Sequence, residues 1–551
     1  MSWDPLLDIT GDPVPVVVSA TDIASGSACG RYLALKTRRQ VRAAGWGRTF
    51  GNAPFPLGDV QRIVIEAHDV DGVDTYDGLR AWLDARLMQG DVHPLLQEYV
   101  KTAVENVLDA HDAIETEVGH LRLVRWWPSV GRRPRELNVW APLYATEDGT
   151  REVRRVRIGS VHDEPDDDDV RWAAAAGFVA ARYAAVGDCR RVRVVEIGAG
   201  DGSLSVLFDG TPEQAGEQYR LHARDRALAL TEQDHVVPCS SCGDCKSAGV
   251  CASLLKSDGL LGQPGPGVAS RSIAPTALVT YAECPAQWLL HTELHLPRDR
   301  ADDGTLQVLA RGAAVHRWLE AAHGRGVACT ASDLPDPGDG RGPGEAALTD
   351  VEYALARPYL LSHLTVCPFA VDGAQLVAAE LAVHAWDASA QAVAVAKPDL
   401  LYRLGDRLIA RETKSRSALP AGRTEAYDRH LQVPFLLSLL ADGLVTSYGA
   451  TKGSVELEVL LPGQPGEVWV WNTDDAITVA VARSDVRRAV EEWHVDTEWT
   501  ARPGRHCGRC PVRRWCPHRD AWQTPLQAPA NAGVTQMEIQ EYPADDAEPP
   551  F

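Results

Sequence analysis

KPDLLYRLGDRLIARETKS, residues 397–415, is the stretch on which the fold turns. It reads as a strand ending at Pro398-Asp399, a Leu404-Gly405-Asp406 turn, and a second strand leading into Glu412-Thr413-Lys414. A short connection between paired strands sets Asp399 and Glu412 side by side. Two converging carboxylates suit Mg²⁺ or Mn²⁺, hard cations that take oxygen ligands and keep waters. Lys414 falls on the same strand face as Glu412. There it can orient an attacking water and stabilise charge growing on a phosphate. Three charged residues on a solvated hairpin would be the bland alternative. The chain holds 48 Arg and only 7 Lys, so a lysine at this position is less easily generic surface charge.

The flanking segments add to this reading. Gly312-x3-His316 opens an amphipathic helix, Glu380 lies in VAAELAVHAW, and Gln432 lies in HLQVPFLLSLL. Pro398-Asp399, twelve residues, then Glu412-x-Lys414 resembles the motif of the PD-(D/E)XK nuclease superfamily. The resemblance implies a mixed sheet flanked by helices, the restriction-endonuclease-like α/β fold, and metal-dependent phosphodiester cleavage, usually of single-stranded DNA ends. By the same resemblance Asp399, Glu412, Lys414 and Gln432 are catalytic, and His316 joins Asp399 and Glu412 at the metal. Glu380 matches the acidic residue that often precedes the PD strand. The helix motif Q-x3-Y is broken, since Leu436 stands at the tyrosine position.

Cysteines bracket these elements. Cys284 precedes the His316 helix, and Cys507-x2-Cys510-x5-Cys516 follows the Gln432 helix. Four thiolates fit a structural zinc or a [4Fe–4S] cluster. One cysteine plus three across a whole domain resembles the iron–sulfur branch related to RecB, AddB and the CRISPR-associated RecB-like exonucleases, which favours iron–sulfur. Residues 502–519 hold six arginines, two histidines and no acid. Arg505, Arg509, Arg513 and Arg514 are therefore expected to contact DNA phosphates.

The set recurs. Cys242-x2-Cys245-x5-Cys251 repeats the triplet spacing, and Cys29 stands 213 residues before Cys242, as Cys284 stands 223 before Cys507. We read an internal duplication, with a second cluster expected on Cys29, Cys242, Cys245 and Cys251 and Cys239 as an alternative register. That leaves Cys189, Cys239, Cys329 and Cys367 as ordinary thiols. The expected domains are 1–258, a linker at 259–276 rich in Gly and Pro, 277–520, and a disordered acidic tail at 521–551. A second Pro/Gly-rich stretch, 333–345, reads as a loop.

Overlaying WAPLYATEDGTREVRRVRIGS on residues 397–415 places Trp140-Ala141 opposite Pro398-Asp399 and Val156 to Ile158 near Glu412 to Lys414. Neither carboxylate is present, so the first half is expected to be a degenerate copy.

The 551 residues are 45% apolar and 24% charged, which permits ordinary globular cores and excludes wholesale disorder. No apolar run reaches membrane-spanning length and the start MSWDPLLDIT lacks a signal pattern, so a cytoplasmic protein with reduced cysteines and no membrane partner is expected. The net charge of −21 argues mildly against nucleic acid, yet it divides as −10 over 1–269, −6 over 270–520 and −5 in the tail.

Two rivals remain. Glu196-x-Gly198-x-Gly200-x-Gly202 resembles the first motif of S-adenosylmethionine-dependent methyltransferases, although only 36 residues separate Gly202 from Cys239. The other is a non-catalytic DNA-binding iron–sulfur scaffold. The tip Asp545-Asp546-Ala547-Glu548-Pro549-Pro550-Phe551 resembles the acidic tip of bacterial single-stranded DNA-binding proteins, and so implies a partner for that tail. No helicase phosphate loop is present, so unwinding would need a helicase partner. The run Asp163 to Asp169 reads as a solvated loop.

Overall fold

The computed structural model describes residues 9–43, 54–68, 76–132, 134–184, 187–233, 235–263, 272–299, 303–336 and 348–521. The expected tail lies outside them except for Ala521, as does most of the 333–345 loop. The chain divides into two units. The first runs to Ser253 and takes in Leu289–Asp299 and Val512–Arg519; the second takes Leu254–Trp288 and Arg300–Pro511.

The strands of the first unit are β1 (Ile9–Thr10), β2 (Val16–Ser19), β3 (Arg42–Ala43), β4 (Arg122–Arg125), β5 (Ser129–Arg132), β6 (Arg135–Asn138), β7 (Leu143–Ala145), β8 (Thr150–Arg157), β9 (Arg191–Gly198) and β10 (Leu204–Gly210). Five of them form a sheet of order β4-β7-β8-β9-β10. Only β8 and β9 run parallel in it, and a parallel pair needs a crossover. The helix Asp167–Arg182 supplies it and packs Ala173, Ala176, Val179 and Ala180 into one core with Val153, Val192 and Val194. A smaller sheet joins β2 parallel to β6 and β5 antiparallel to β6.

In the second unit the strands are β11 (Leu255–Lys256), β12 (Ser272–Ile273), β13 (Ala374–Ala379), β14 (Val383–Asp387), β15 (Ala392–Ala396), β16 (Leu400–Leu404), β17 (Arg407–Ser415), β18 (Lys452–Leu460) and β19 (Glu467–Asn472). The main sheet has order β13-β16-β17-β18-β19, and again one internal pair, β17 and β18, is parallel. The smaller sheet joins β12 parallel to β15 and β14 antiparallel to β15. Strand order and strand sense thus agree between the two five-stranded sheets, whereas the smaller sheet of the second unit has a further strand, β11, parallel to β14. Both are mixed α/β with sheets flanked by helices, consistent with the restriction-endonuclease-like fold. Among the described residues, no helix is long and apolar enough to cross a membrane.

Several expectations change. The strand before the motif stops at Ala396, and Asp399 instead lies immediately before β16. Pro398 lacks an N–H for a ladder, so the chain breaks there. Parts of 259–276 are folded: Leu260 and Leu261 are fully buried, and Asp387 accepts the N–H groups of Gly259 and Leu261. Residues 264–271 lie outside the described residues. The glycine-rich segment after β9 turns into antiparallel β10 and opens no helix, which removes the strand–turn–helix context a methyltransferase motif requires. The acidic run is not all solvated loop. Asp166 caps the helix that follows, and Asp169 is buried against Arg155, Arg157 and His162.

Candidate active site

The hairpin β16–β17 turns on Gly405, whose φ of 61° suits glycine, and pairs Leu400 with Arg411. One step beyond that pair lie Asp399 and Glu412. The Thr413 N–H donates to Asp399 Oδ2 at 2.6 Å, fixing the carboxylate against the strand. His316 arrives from the helix Asp303–His323, with Nδ1 3.0 Å from Asp399 Oδ1 and 3.7 Å from Glu380 Oε1.

Glu380 follows β13 with φ of 54°, a left-handed conformation that costs a non-glycine residue about 1–3 kcal/mol. Its N–H donates to the Asp399 carbonyl at 3.0 Å, and its carboxylate lies 2.5 Å from Lys397 Nζ. One ligand atom each from His316, Glu380 and Asp399 falls within 4.8 Å of the others. Lys414 Nζ stands 3.5 Å from Glu412 Oε2. The expected metal trio had Glu412 in the place that Glu380 takes in this group; Glu412 adjoins it through its charge.

The charges of these groups act strongly on one another. Asp399 is the largest influence on His316 and pushes the imidazole up to about 10. Burial works against ionisation of Asp399, but His316 and Lys414 outweigh it and hold the carboxyl below its usual range. Burial first, then the Asp399 charge, push Glu412 up to about 8. A buried carboxylate, a half-buried one that repels it and a half-buried imidazole are a donor set for a divalent cation, so the residues present fit Mg²⁺ or Mn²⁺.

One neighbour went unnoticed in the sequence. Burial, with Lys414 and Arg416, holds His430 down to about 3, so it is a neutral imidazole beside the lysine. A histidine before a proline-containing helix gives no sequence signal of that role. Gln432 begins the helix Gln432–Leu439, which packs on β17 and β18, and Leu436 of that helix is buried.

At the matching register of the first unit, Leu143 pairs with Val153 as Leu400 pairs with Arg411. Pro142, Arg154 and Val156 then stand where the second unit has Asp399, Glu412 and Lys414. The overlay from sequence is thereby shifted by one residue at the first position and two at the others. Arg154 is buried, 2.7 Å from Glu152, which also pairs with buried Arg193 at 2.9 Å. At this register the first unit holds an internal ion-pair network.

The first-half cysteines share one neighbourhood. Burial, with Cys239, Cys245 and Cys29 adding, pushes Cys242 up to about 12, and Cys29 and Cys251 add to burial in raising Cys245. The Cys239 N–H donates to Cys242 Sγ at 3.2 Å. Cys507 sits in the same kind of turn, accepting from the Gly504 N–H at 3.4 Å, and Cys284 Sγ accepts from the Arg502 N–H at 3.5 Å. Cys510 and Cys516 end short turns of their own. Arg505 and Arg509 are exposed, whereas Arg514 pairs with Asp299 at 3.1 Å and Arg513 donates to the Arg519 carbonyl.

No curated protein matches the chain. The family model of the PD-(D/E)XK nuclease superfamily matches residues 272–517, the stretch that carries His316, Glu380, Asp399, Glu412 and Lys414.

Proposed function

We propose that the second unit is a Mg²⁺- or Mn²⁺-dependent deoxyribonuclease acting on single-stranded ends, in DNA repair, recombination or phage defence, and that the first unit is a non-cleaving copy. The observation that carries the reading is the convergence of His316, Glu380 and Asp399 beside Glu412 and Lys414. His316, Glu380, Asp399 and Glu412 would hold the metal, which when bound supplies an activated water and neutralises the scissile phosphate. Lys414 orients that water and offsets charge on the phosphate. His430, neutral beside it, adds no charge of its own to that corner. Gln432, at the start of the adjoining helix, contacts the DNA strand.

The common strand order of the two units supports a duplication, and Pro142, Arg154 and Val156 explain why the first copy would not cleave. We assign [4Fe–4S] clusters to Cys284, Cys507, Cys510 and Cys516 and to Cys29, Cys242, Cys245 and Cys251. The exposed Arg505 and Arg509 are the phosphate contacts, in a cytoplasmic protein that draws on a helicase partner and offers its acidic tail ending at Phe551 to another.

The test is Mn²⁺-dependent digestion of end-labelled single- and double-stranded DNA by anaerobically purified protein. Lys414→Ala should abolish cleavage while the fold and the iron and sulfide content stay at wild-type level. Full residual activity in that variant would sink the assignment.

A further inference from the structure

Cys329 and Cys367, left over when the two cysteine sets are assigned, do not lie apart. The helix Asp303–His323 ends on His323, and Cys329 follows after five residues. The helix Asp350–His363 ends on His363, and Cys367 follows after three. All four are buried, at 2%, 6%, 0% and 3% exposure in chain order, and one ligand atom of each lies within 4.8 Å of the other three. We propose that His323, Cys329, His363 and Cys367 form a tetrahedral zinc site inside the second unit, distinct from the Asp399 site and from both cysteine sets.

Geometry and donor chemistry select the metal. The two imidazole Nε2 atoms are 3.1 Å apart, close to the edge of about 3.3 Å that nitrogen ligands make around zinc at about 2.0 Å. His363 Nδ1 lies 2.6 Å from Glu458 Oε1, so its proton is held on that side and the Nε2 lone pair faces His323 and the sulfurs. A carboxylate behind a histidine in this manner orients the ring and raises its basicity toward a metal. The Cys329 N–H donates to Cys367 Sγ at 3.3 Å, a bond that offsets thiolate charge. Two sulfurs and two nitrogens exclude Mg²⁺, which takes oxygen, and four ligand atoms all within 4.8 Å of one another close around one ion, not around the two irons that a [2Fe–2S] centre with two cysteines and two histidines holds between them.

The position gives the site a structural task. It pins the ends of two helices, and the first of these carries His316 two turns upstream. Glu458 is also bonded by Thr413 Oγ1 at 2.9 Å, and the Thr413 N–H holds Asp399. Zinc binding therefore orders the helix and the strand that present the catalytic residues.

The experiment uses the full chain, purified and exposed to EDTA to strip loosely held cations. Zinc content and the zinc-edge X-ray absorption shell are then measured. Wild type should retain about one zinc per chain with two sulfur and two nitrogen neighbours. The double substitution Cys329→Ser with Cys367→Ser should lose it, while Cys507→Ser with Cys510→Ser keeps it. Absence of retained zinc, a shell of four sulfurs, or zinc surviving in the Cys329/Cys367 variant would overturn the proposal. The absorption shell is read on wild type, so it decides the matter even where the variant fails to fold.

Discussion

Glu412→Gln separates what the site does for folding from what it does for metal binding. In metal-free protein Glu412 is buried beside Asp399, and burial and that neighbouring charge push its carboxyl up to about 8 from the ordinary 4.5. A folded carboxyl with a raised pKa takes up a proton on folding, so stability is present at low pH and is lost as pH rises from about 4.5 to about 8. The full displacement corresponds to a ceiling of about 5 kcal/mol. Allowing half of that for relaxation and water entry leaves roughly 2 kcal/mol, or a Tm shift of about 4–8 °C for a unit of this size. In EDTA at pH 9 the glutamine variant should therefore melt above wild type by that amount, and the gap should close near pH 4.5. Added Mn²⁺ should raise the wild-type Tm and reverse the order, because only the carboxylate rewards the cation. Thermal melts at the two pH values, with and without Mn²⁺, read all four states. A variant that melts at or below wild type in EDTA at pH 9, or gains as much from Mn²⁺, would refute the reasoning.

In the first unit, Glu152→Ala removes the shared partner of buried Arg154 and Arg193 and should cost about 3–5 kcal/mol, lowering Tm without altering cleavage per folded molecule; a drop under about 2 °C would contradict the buried-pair account. Glu293 is pushed up to about 7, chiefly by burial and then by Asp244, so its ionisation weakens the fold as pH rises from about 4.5 through 7. Glu293→Gln should stabilise the protein above pH 7, by up to about 2 kcal/mol, and leave it unchanged near pH 4; equal melts at pH 8 would show that the side chain escapes to water.

Residues 397–415 determined much by themselves. A Gly-Asp turn between two apolar strands fixes a hairpin, and a hairpin fixes which residues face each other, so Asp399 opposite Glu412 and Lys414 beside it follow from period and spacing alone. The repeated cysteine spacing likewise pointed to two related halves, and the five-stranded sheets of the two units share one strand order. Local rules also had a clear limit at Pro398, where the missing N–H moved Asp399 from the end of one strand to the start of the next.

Only the tertiary structure decided which distant groups complete a site. Glu380 joins His316 and Asp399 through a left-handed backbone that no propensity favours, and it persists because the Asp399 carbonyl and Lys397 hold it. His430 becomes a neutral companion of Lys414 by burial, which is a property of packing and not of sequence. Cys329 and Cys367 looked ordinary because their partners are histidines at two helix ends, 40 residues apart along the chain. Sequence spacing specifies neighbours within one hairpin or one turn. Convergence between separate helices and strands depends on how their apolar faces dock, and that is settled by the fold as a whole.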